Sequence, residues 1–408
     1  MTTQPPSQRL SARLAQARPS ATGAASEAAR RLAAQGRNII SLAEGELDFD
    51  TPDHIQQAAI KAITEGQTRY TSVGGTAALK AAIVTKFARD NRLDYQIGEV
   101  IAATGAKQIL FNALLATVDA GDEVIMAAPY WVSYSEMVRI AGGEPVVLPT
   151  SPEQDFKLTP QQLQAAITPR TRWLMLNSPC NPSGALYSMD ELRALADVLR
   201  PHEQIMVLAD DIYEAIVFDG VFCTFAEAAP DLQARTLTVN GVSKSHAMTG
   251  WRLGYAGGPQ WLIRALELLQ SQSTSNPSSI SQAGALAALT GPQDFLDGWR
   301  ERLRARRDMA LSILADAAPW LSVRKPAAAF YLYADCQAAL GAITPQGQRL
   351  NDDWALAAWL LEEAGVSVVP GSAFGMTGYL RLAYATADER LRLACEQIVN
   401  ACQRLRRT

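Results

Sequence analysis

Lysine is scarce in this chain: seven (positions 61, 80, 86, 107, 157, 244 and 325) stand against thirty arginines in 408 residues. Histidine is rarer still, with three, and the five cysteines form neither a CxxC pair nor a metal-ligand spacing. An odd count of unpatterned thiols fits a reducing compartment better than a disulfide framework, so a cytoplasmic setting is expected. His54, His202 and His246 are too dispersed in sequence to suggest a metal cluster. The longest apolar runs are stretches such as Ala327 to Ala334, far short of the ~20 residues a membrane span needs. A formal net charge of −4 argues against bulk electrostatic binding to nucleic acid or anionic lipid, leaving a small molecule or another subunit as the expected partner. What is present is an ordinary globular composition, 48% hydrophobic and 19% charged, in a chain long enough for one large core and a smaller second domain.

With lysine so scarce, Lys244 does not belong to a solvated basic face. It lies in Thr238-Val-Asn-Gly-Val-Ser-Lys-Ser-His-Ala-Met-Thr-Gly-Trp-Arg-Leu-Gly-Tyr-Ala-Gly-Gly258, between two apolar runs. A desolvated amine suits Schiff-base chemistry, which arginine cannot perform. Alone, a lysine beside Ser and Gly is more often a loop residue, so the argument needs partners. Two lie upstream, Leu176-Asn-Ser-Pro-Cys-Asn-Pro-Ser-Gly184 and Val207-Leu-Ala-Asp-Asp-Ile-Tyr-Glu-Ala-Ile-Val-Phe218. Each follows a strand-like run with a polar cluster at its C-terminal end, where open α/β sheets place ligands.

From about residue 99 to 260 strand-like runs alternate with helix-period segments, the βαβ rhythm of a parallel sheet. Strands are predicted at Val100–Thr104, Glu123–Ala128, Trp173–Leu176, Ile205–Ala209, Thr236–Asn240 and Leu253–Ala256. Helices are predicted at Gln108–Val118 and at Met189–Arg200, where Ser188 and Glu191 form a capping box. After Pro292 long Arg-rich amphipathic segments take over (Asp294 to Ala317), followed by strands near Phe330 and Val366 and a C-terminal helix, which marks a second domain.

Within this frame several residues point to chemistry. The junction Thr104-Gly-Ala-Lys-Gln108 leaves backbone N–H groups unpaired at a strand-to-helix turn and can receive a phosphate, although an ordinary βα turn has the same composition. Arg252 offers a fork for phosphate oxygens, with hydroxyls from Ser243 and Ser245. Asp210 at a strand end requires a cationic partner if buried; the reading of a helix cap or solvated acid suits Asp211 better. Arg381, in the alternating run Tyr379-Leu-Arg-Leu-Ala383, requires an anion if it points inward. Cys180 reads as a buried, inert thiol near these residues, and His246 as a packing or hydrogen-bonding residue of its loop.

Seven strings in this order resemble the aspartate aminotransferase family of fold type I enzymes that depend on pyridoxal 5'-phosphate, in particular its bacterial aspartate/prephenate aminotransferase-like subgroup. They are the three blocks above with Ser41-Leu-Ala-Glu-Gly-Glu-Leu-Asp-Phe-Asp-Thr-Pro52, Tyr70-Thr-Ser-Val-Gly-Gly75, Pro129-Tyr-Trp-Val-Ser-Tyr134 and Gly378-Tyr-Leu-Arg-Leu-Ala-Tyr-Ala-Thr386. The likeness covers nearly the whole chain. It implies an α/β fold: a large domain with a mostly parallel seven-stranded sheet flanked by helices, and a smaller, discontinuous α+β domain. The expected divisions are a disordered extension at 1–13, the first part of the small domain at 14–50, the cofactor-binding domain at 51–292 and the rest of the small domain at 293–408. Residues 1–26 have a Ser-, Ala- and Arg-rich composition that superficially suggests an organellar transit segment. Because the likeness begins near Leu14, that reading is set aside.

For the site, the resemblance implies Lys244 as the Schiff-base lysine and Asp210 as the partner of the cofactor's pyridinium nitrogen. Tyr213 and Asn181 fall to its phenolic oxygen, and Trp131 to the face of its ring. Gly105, Ala106, Lys107, Ser243 and Arg252 surround its phosphate, which Tyr70 reaches from a second subunit of a homodimer with shared sites. Arg381, with Gly45, Trp131 and Asn181, is expected at the substrate α-carboxylate. Lys107, Ser20 and Thr22 match positions that read an acidic side chain, which implies ping-pong transamination from aspartate or glutamate to 2-oxoglutarate or oxaloacetate. Arg18 stands where prephenate-accepting relatives carry a basic residue. Alternatives are an aminotransferase for aromatic or other amino acids or for prephenate, or a β-lyase on the same fold; a DNA-binding regulator is disfavoured because little chain precedes residue 14.

Overall fold

The computed structural model describes residues 11–15 and 17–407. Its central feature is a seven-stranded sheet of β1 (Val100–Ala103), β2 (Glu123–Ala128), β3 (Glu144–Pro149), β4 (Thr171–Asn177), β5 (Met206–Asp210), β6 (Thr236–Gly241) and β7 (Gly254–Gly257). The spatial order is β1-β7-β6-β5-β4-β2-β3. All neighbours are parallel except β7, which runs antiparallel to both β1 and β6. The inner strands are buried on both faces, which explains their Val/Ile/Leu/Ala-rich runs. One face packs Ile109, Leu110 and Leu114 against Val239, Leu237 and Trp173; the other packs Leu192, Leu195 and Leu199 against Leu174, Val207 and Ala209.

Six of the strands follow the expected runs to within a residue or two. β3 was not foreseen. It is an edge strand with Pro145 and Pro149, which suits an edge and disguises a strand in sequence. The helix Met189–Leu199 starts at the expected capping box, with Ser188 and Glu191 exchanging hydrogen bonds.

Beyond the sheet, the long helix Phe295–Leu314 carries two adjacent, fully buried arginines. Arg306 donates to both oxygens of Asp48 (2.6 and 2.9 Å) and to Asp388 (2.7 Å), tying the N-terminal segment to the C-terminal helix Asp388–Cys402. A four-stranded antiparallel sheet follows, comprising β8 (Ser322–Val323), β9 (Tyr331–Asp335), β10 (Val369–Pro370) and β11 (Tyr379–Ala383) in the order β10-β11-β9-β8. The pair Ile40–Ser41 and Val366–Ser367 links the N-terminal segment to this region. Residues 1–10 of the expected disordered extension lie outside the described residues; Ala12–Ala15 form one helical turn.

Candidate active site

Because every strand of the large sheet but β7 points the same way, β1, β4, β5 and β6 deliver their C-terminal ends to one edge. There a cleft of about 370 Å³ opens between the two sheets. Lys244, Asp210, Tyr213, Asn181, Trp131, Ala106, Lys107, Ser243, Arg252, Gly45, Thr22 and Arg381 all line it.

At one end, Gly105 precedes the helix Ala106–Thr117 with φ +89°, a conformation glycine alone adopts readily. A Cβ on Gly105 would stand 2.6 Å from Nη2 of Arg252. Arg252 is held in the left-handed region (φ 53°) and donates to the Thr249 carbonyl at 2.8 Å. Free helix N–H groups and a guanidinium therefore converge on one spot, a cradle for a phosphate-sized anion. β7 makes this possible: a Cβ on Gly254 would meet the Ala106 nitrogen at 2.2 Å, so only glycine lets the helix start this close to the sheet. Lys107 stands beside the cradle, its ammonium 4.6 Å from the Trp131 ring centroid. Desolvation, then Arg252, hold its pKa below the usual lysine value.

At the floor, Asp210 ends β5 and is 4% exposed. Burial raises its carboxyl to about 6, opposed by the Tyr134 hydroxyl, which donates to Oδ2 at 2.6 Å, and by the Ile212 N–H. The Asn177 side chain donates to the Asp210 carbonyl at 2.8 Å and accepts from the Asn181 N–H at 2.8 Å, so the two polar strand ends brace each other.

The Lys244 amine donates to the Gly45 carbonyl. Desolvation brings its pKa down to about 8 against the opposing pull of Glu46, with Arg381 and Arg252 lowering it further. On the far wall Arg381, 1% exposed, is registered between Tyr333 and Val369 in the small sheet. It donates to Asn181 Oδ1 at 3.0 Å and to the Ala43 carbonyl, and its guanidinium lies over the rings of Tyr331 (4.6 Å) and Phe374 (5.1 Å). Its Nε is buried without a hydrogen-bond partner among the described residues. The Tyr213 hydroxyl lies 2.7 Å from that of Tyr331 and 3.5 Å from Asn181 Nδ2.

Four expected residues lie elsewhere. Ser20 caps the helix Ala21–Ala34, accepting from the Gly23 N–H at 3.4 Å, whereas Thr22 reaches the cleft with its hydroxyl unpartnered among the described residues. Tyr70 is 90% exposed and lies beside a separate depression. The Ser245 hydroxyl is 2.7 Å from Nδ1 of the buried His246, away from the cleft. Arg18 is exposed, its backbone N–H on Glu136, and Cys180 is buried with its thiol pKa raised by desolvation.

Asp211 corrects the reading of a cap or solvated acid. It is 2% exposed and its N–H donates to the Val239 carbonyl at 2.9 Å, so the chain stays in the sheet one residue longer than expected. The alternation of a strand then sends Asp211 to the face opposite Asp210, where burial pushes its carboxyl well above the usual range. The sequence reading passed over Tyr134, Tyr331, Asn177 and Glu46. Tyr134 closes a quoted string three residues past Trp131, a helical spacing that could have flagged it; nothing in sequence links Tyr331 to Tyr213.

Comparison with known proteins places this arrangement. Residues 37–398 match the model of the aminotransferase class I and II family. The aspartate/prephenate aminotransferase of Cereibacter sphaeroides is 53% identical over 394 residues, 96% of this chain and 98% of that one. The crystal structure of the aspartate aminotransferase from Rhizobium meliloti superposes with a TM-score of 0.94 at 50% identity, covering 98% of this chain and 100% of that one. The aspartate aminotransferase from Thermus thermophilus with maleate gives 0.90 at 42%, covering 96% and 99%. The chain belongs to the class I and II aminotransferases.

Proposed function

We propose that this protein is a pyridoxal phosphate-dependent aspartate aminotransferase, moving the amino group of aspartate or glutamate to 2-oxoglutarate or oxaloacetate by a ping-pong route. What carries the reading is that a buried amine, a buried carboxylate and an anion cradle line one cleft, as a group with an aldehyde, a basic ring nitrogen and a phosphate requires. The space above Gly105, which any Cβ would fill against Arg252, would receive the phosphate, with Ala106, Lys107 and Ser243 to hold it. Pyridoxal phosphate supplies an electron sink for the bond breaking at the substrate Cα. In this reading residues 51–292 hold the cofactor, and 14–50 with 293–408 form the smaller domain.

The chain's own groups then divide the work. With a pKa near 8, about a tenth of Lys244 is free amine at pH 7, so the residue could attack a carbonyl and, as a free amine, move a proton at the substrate Cα. Asp210, largely ionised at pH 7, would pair with the cofactor's ring nitrogen and keep it protonated. Tyr213 and Asn181 would donate to the cofactor's phenolic oxygen, and Trp131 would face its ring. Arg381, charged and with an unused N–H, binds the α-carboxylate in two places and orients the Cα–H. Lys107 and Thr22 line the same cleft and would meet a side-chain carboxylate, which is supported by the Thermus relative having been solved with maleate, a four-carbon dicarboxylate. Tyr70, exposed in one chain, completes the phosphate site of a second copy in a homodimer.

The test is the absorbance of the purified holoprotein between ~300 and ~450 nm before and after L-aspartate. Loss of the yellow band, restored by 2-oxoglutarate, is expected, and prephenate is offered as acceptor in the same cuvette. A band that aspartate leaves unmoved but another amino acid shifts would refute the acidic-substrate reading.

A further inference from the structure

Tyr213 and Tyr331 come from different sheets yet bring their hydroxyls to 2.7 Å. Both are fully buried, and each hydroxyl has one proton to give. The Asn181 carbonyl oxygen is occupied by Arg381, which fixes that amide so that its NH2 faces Tyr213 at 3.5 Å. Tyr213 oxygen therefore already has a donor in Asn181, and its own proton is claimed whenever an acceptor stands in the cleft. Under that condition only Tyr331 can supply the proton in the 2.7 Å contact. Tyr331 is itself held in place: its ring lies under the Arg381 guanidinium at 4.6 Å, and its hydroxyl fits against Gly45, where a Cβ would stand 2.3 Å away.

From this geometry we infer that Tyr331 is a positioning residue that acts through Tyr213: by donating to the Tyr213 oxygen it strengthens the hydrogen bond Tyr213 gives to the phenolic oxygen of the bound cofactor. The inference rests on the proposed role of Tyr213. Chains of hydrogen bonds polarise one another, so a hydroxyl that accepts is a better donor. A better donor draws electron density from the phenolic oxygen and lowers the proton affinity of the neighbouring lysine-linked nitrogen. Removing the Tyr331 hydroxyl reverses that effect.

The experiment is a spectrophotometric pH titration of the holoenzyme, without substrate, for the parent, Tyr331→Phe, Tyr213→Phe and the double variant. Tyr331→Phe is expected to raise the midpoint by about half a pH unit, the worth of part of one neutral hydrogen bond, and Tyr213→Phe by more. In the Tyr213→Phe background Tyr331→Phe is expected to add nothing. An equal shift in both backgrounds would show that Tyr331 acts on the cofactor environment directly and overturns the inference. A shift from Tyr213→Phe with none from Tyr331→Phe overturns it while leaving the Tyr213 role intact; no shift from either variant removes both. Phenylalanine keeps the ring under Arg381, so KM for aspartate is expected to stay within about twofold.

Discussion

Replacing Tyr134 by Phe removes one hydroxyl and leaves the ring, which packs edge-on against Trp131 at 5.5 Å. The lost contact is the 2.6 Å bond to Asp210 Oδ2. A hydrogen bond to a charged group is worth about 1.5–3 kcal/mol and one between neutral groups about 0.5–1.5, so the variant loses about 1.4 kcal/mol more when Asp210 is ionised than when it is protonated. That difference is one pKa unit, which moves the Asp210 carboxyl of the apoprotein from about 6 to about 7. The folded pKa already exceeds the ordinary 3.8. The folded state therefore holds its proton longer, and stability contributed by this group is present at low pH and lost as pH rises through the folded value. Urea denaturation of the apoprotein at pH 5 and pH 8 reads this directly: the cost of Tyr134→Phe should be about 1.4 kcal/mol greater at pH 8. Equal costs at the two pH values would refute the claim that Tyr134 tunes the charge on Asp210.

Three further outcomes are expected. Gly105→Ala forces φ +89° on a side chain that meets Arg252, so affinity for pyridoxal phosphate should fall at least ~10-fold in a fluorescence titration of the apoprotein; unchanged binding would remove the phosphate from that turn. His246, buried with Nε2 3.1 Å from Gln293 Oε1, has its pKa lowered to about 4 from 6.5, so the unfolded chain takes up the proton first. Stability is complete above pH 6.5 and is lost by up to about 3 kcal/mol on acidification toward pH 4, and His246→Gln should flatten that part of the urea-midpoint profile. Lys107→Ala should raise KM for aspartate ~10-fold or more, about the worth of one charge-assisted contact, and leave that for alanine within about twofold; parallel rises for both would refute a side-chain role.

Local pattern made much of this legible. Strand runs ending in polar clusters located Asp210 and Asn181, and the Gly105–Ala106 turn marked the anion cradle because backbone conformation and helix start are written in neighbouring residues. β3 was hidden by its own prolines, which are tolerated there because an edge strand leaves some N–H groups unused. Asp211 was misread because its burial depends on one extra sheet hydrogen bond to Val239, a partner twenty-eight residues away. The Tyr213–Tyr331 contact joins two sheets 118 residues apart in sequence, and no periodicity records a meeting of that kind.

The N-terminal segment contributes two carbonyls to the cleft, Ala43 accepting from Arg381 and Gly45 from Lys244. The segment is thus a ligand of both cations, bound through the same groups that a carboxylate and a carbonyl carbon would claim. Thermodynamic reciprocity then applies within one chain: whatever draws residues 43–45 away must alter the proton affinity of the lysine, and deprotonating the lysine must weaken the hold on the segment by that same free energy. Residues 43–45 are therefore coupled through their backbone to occupancy of the cleft.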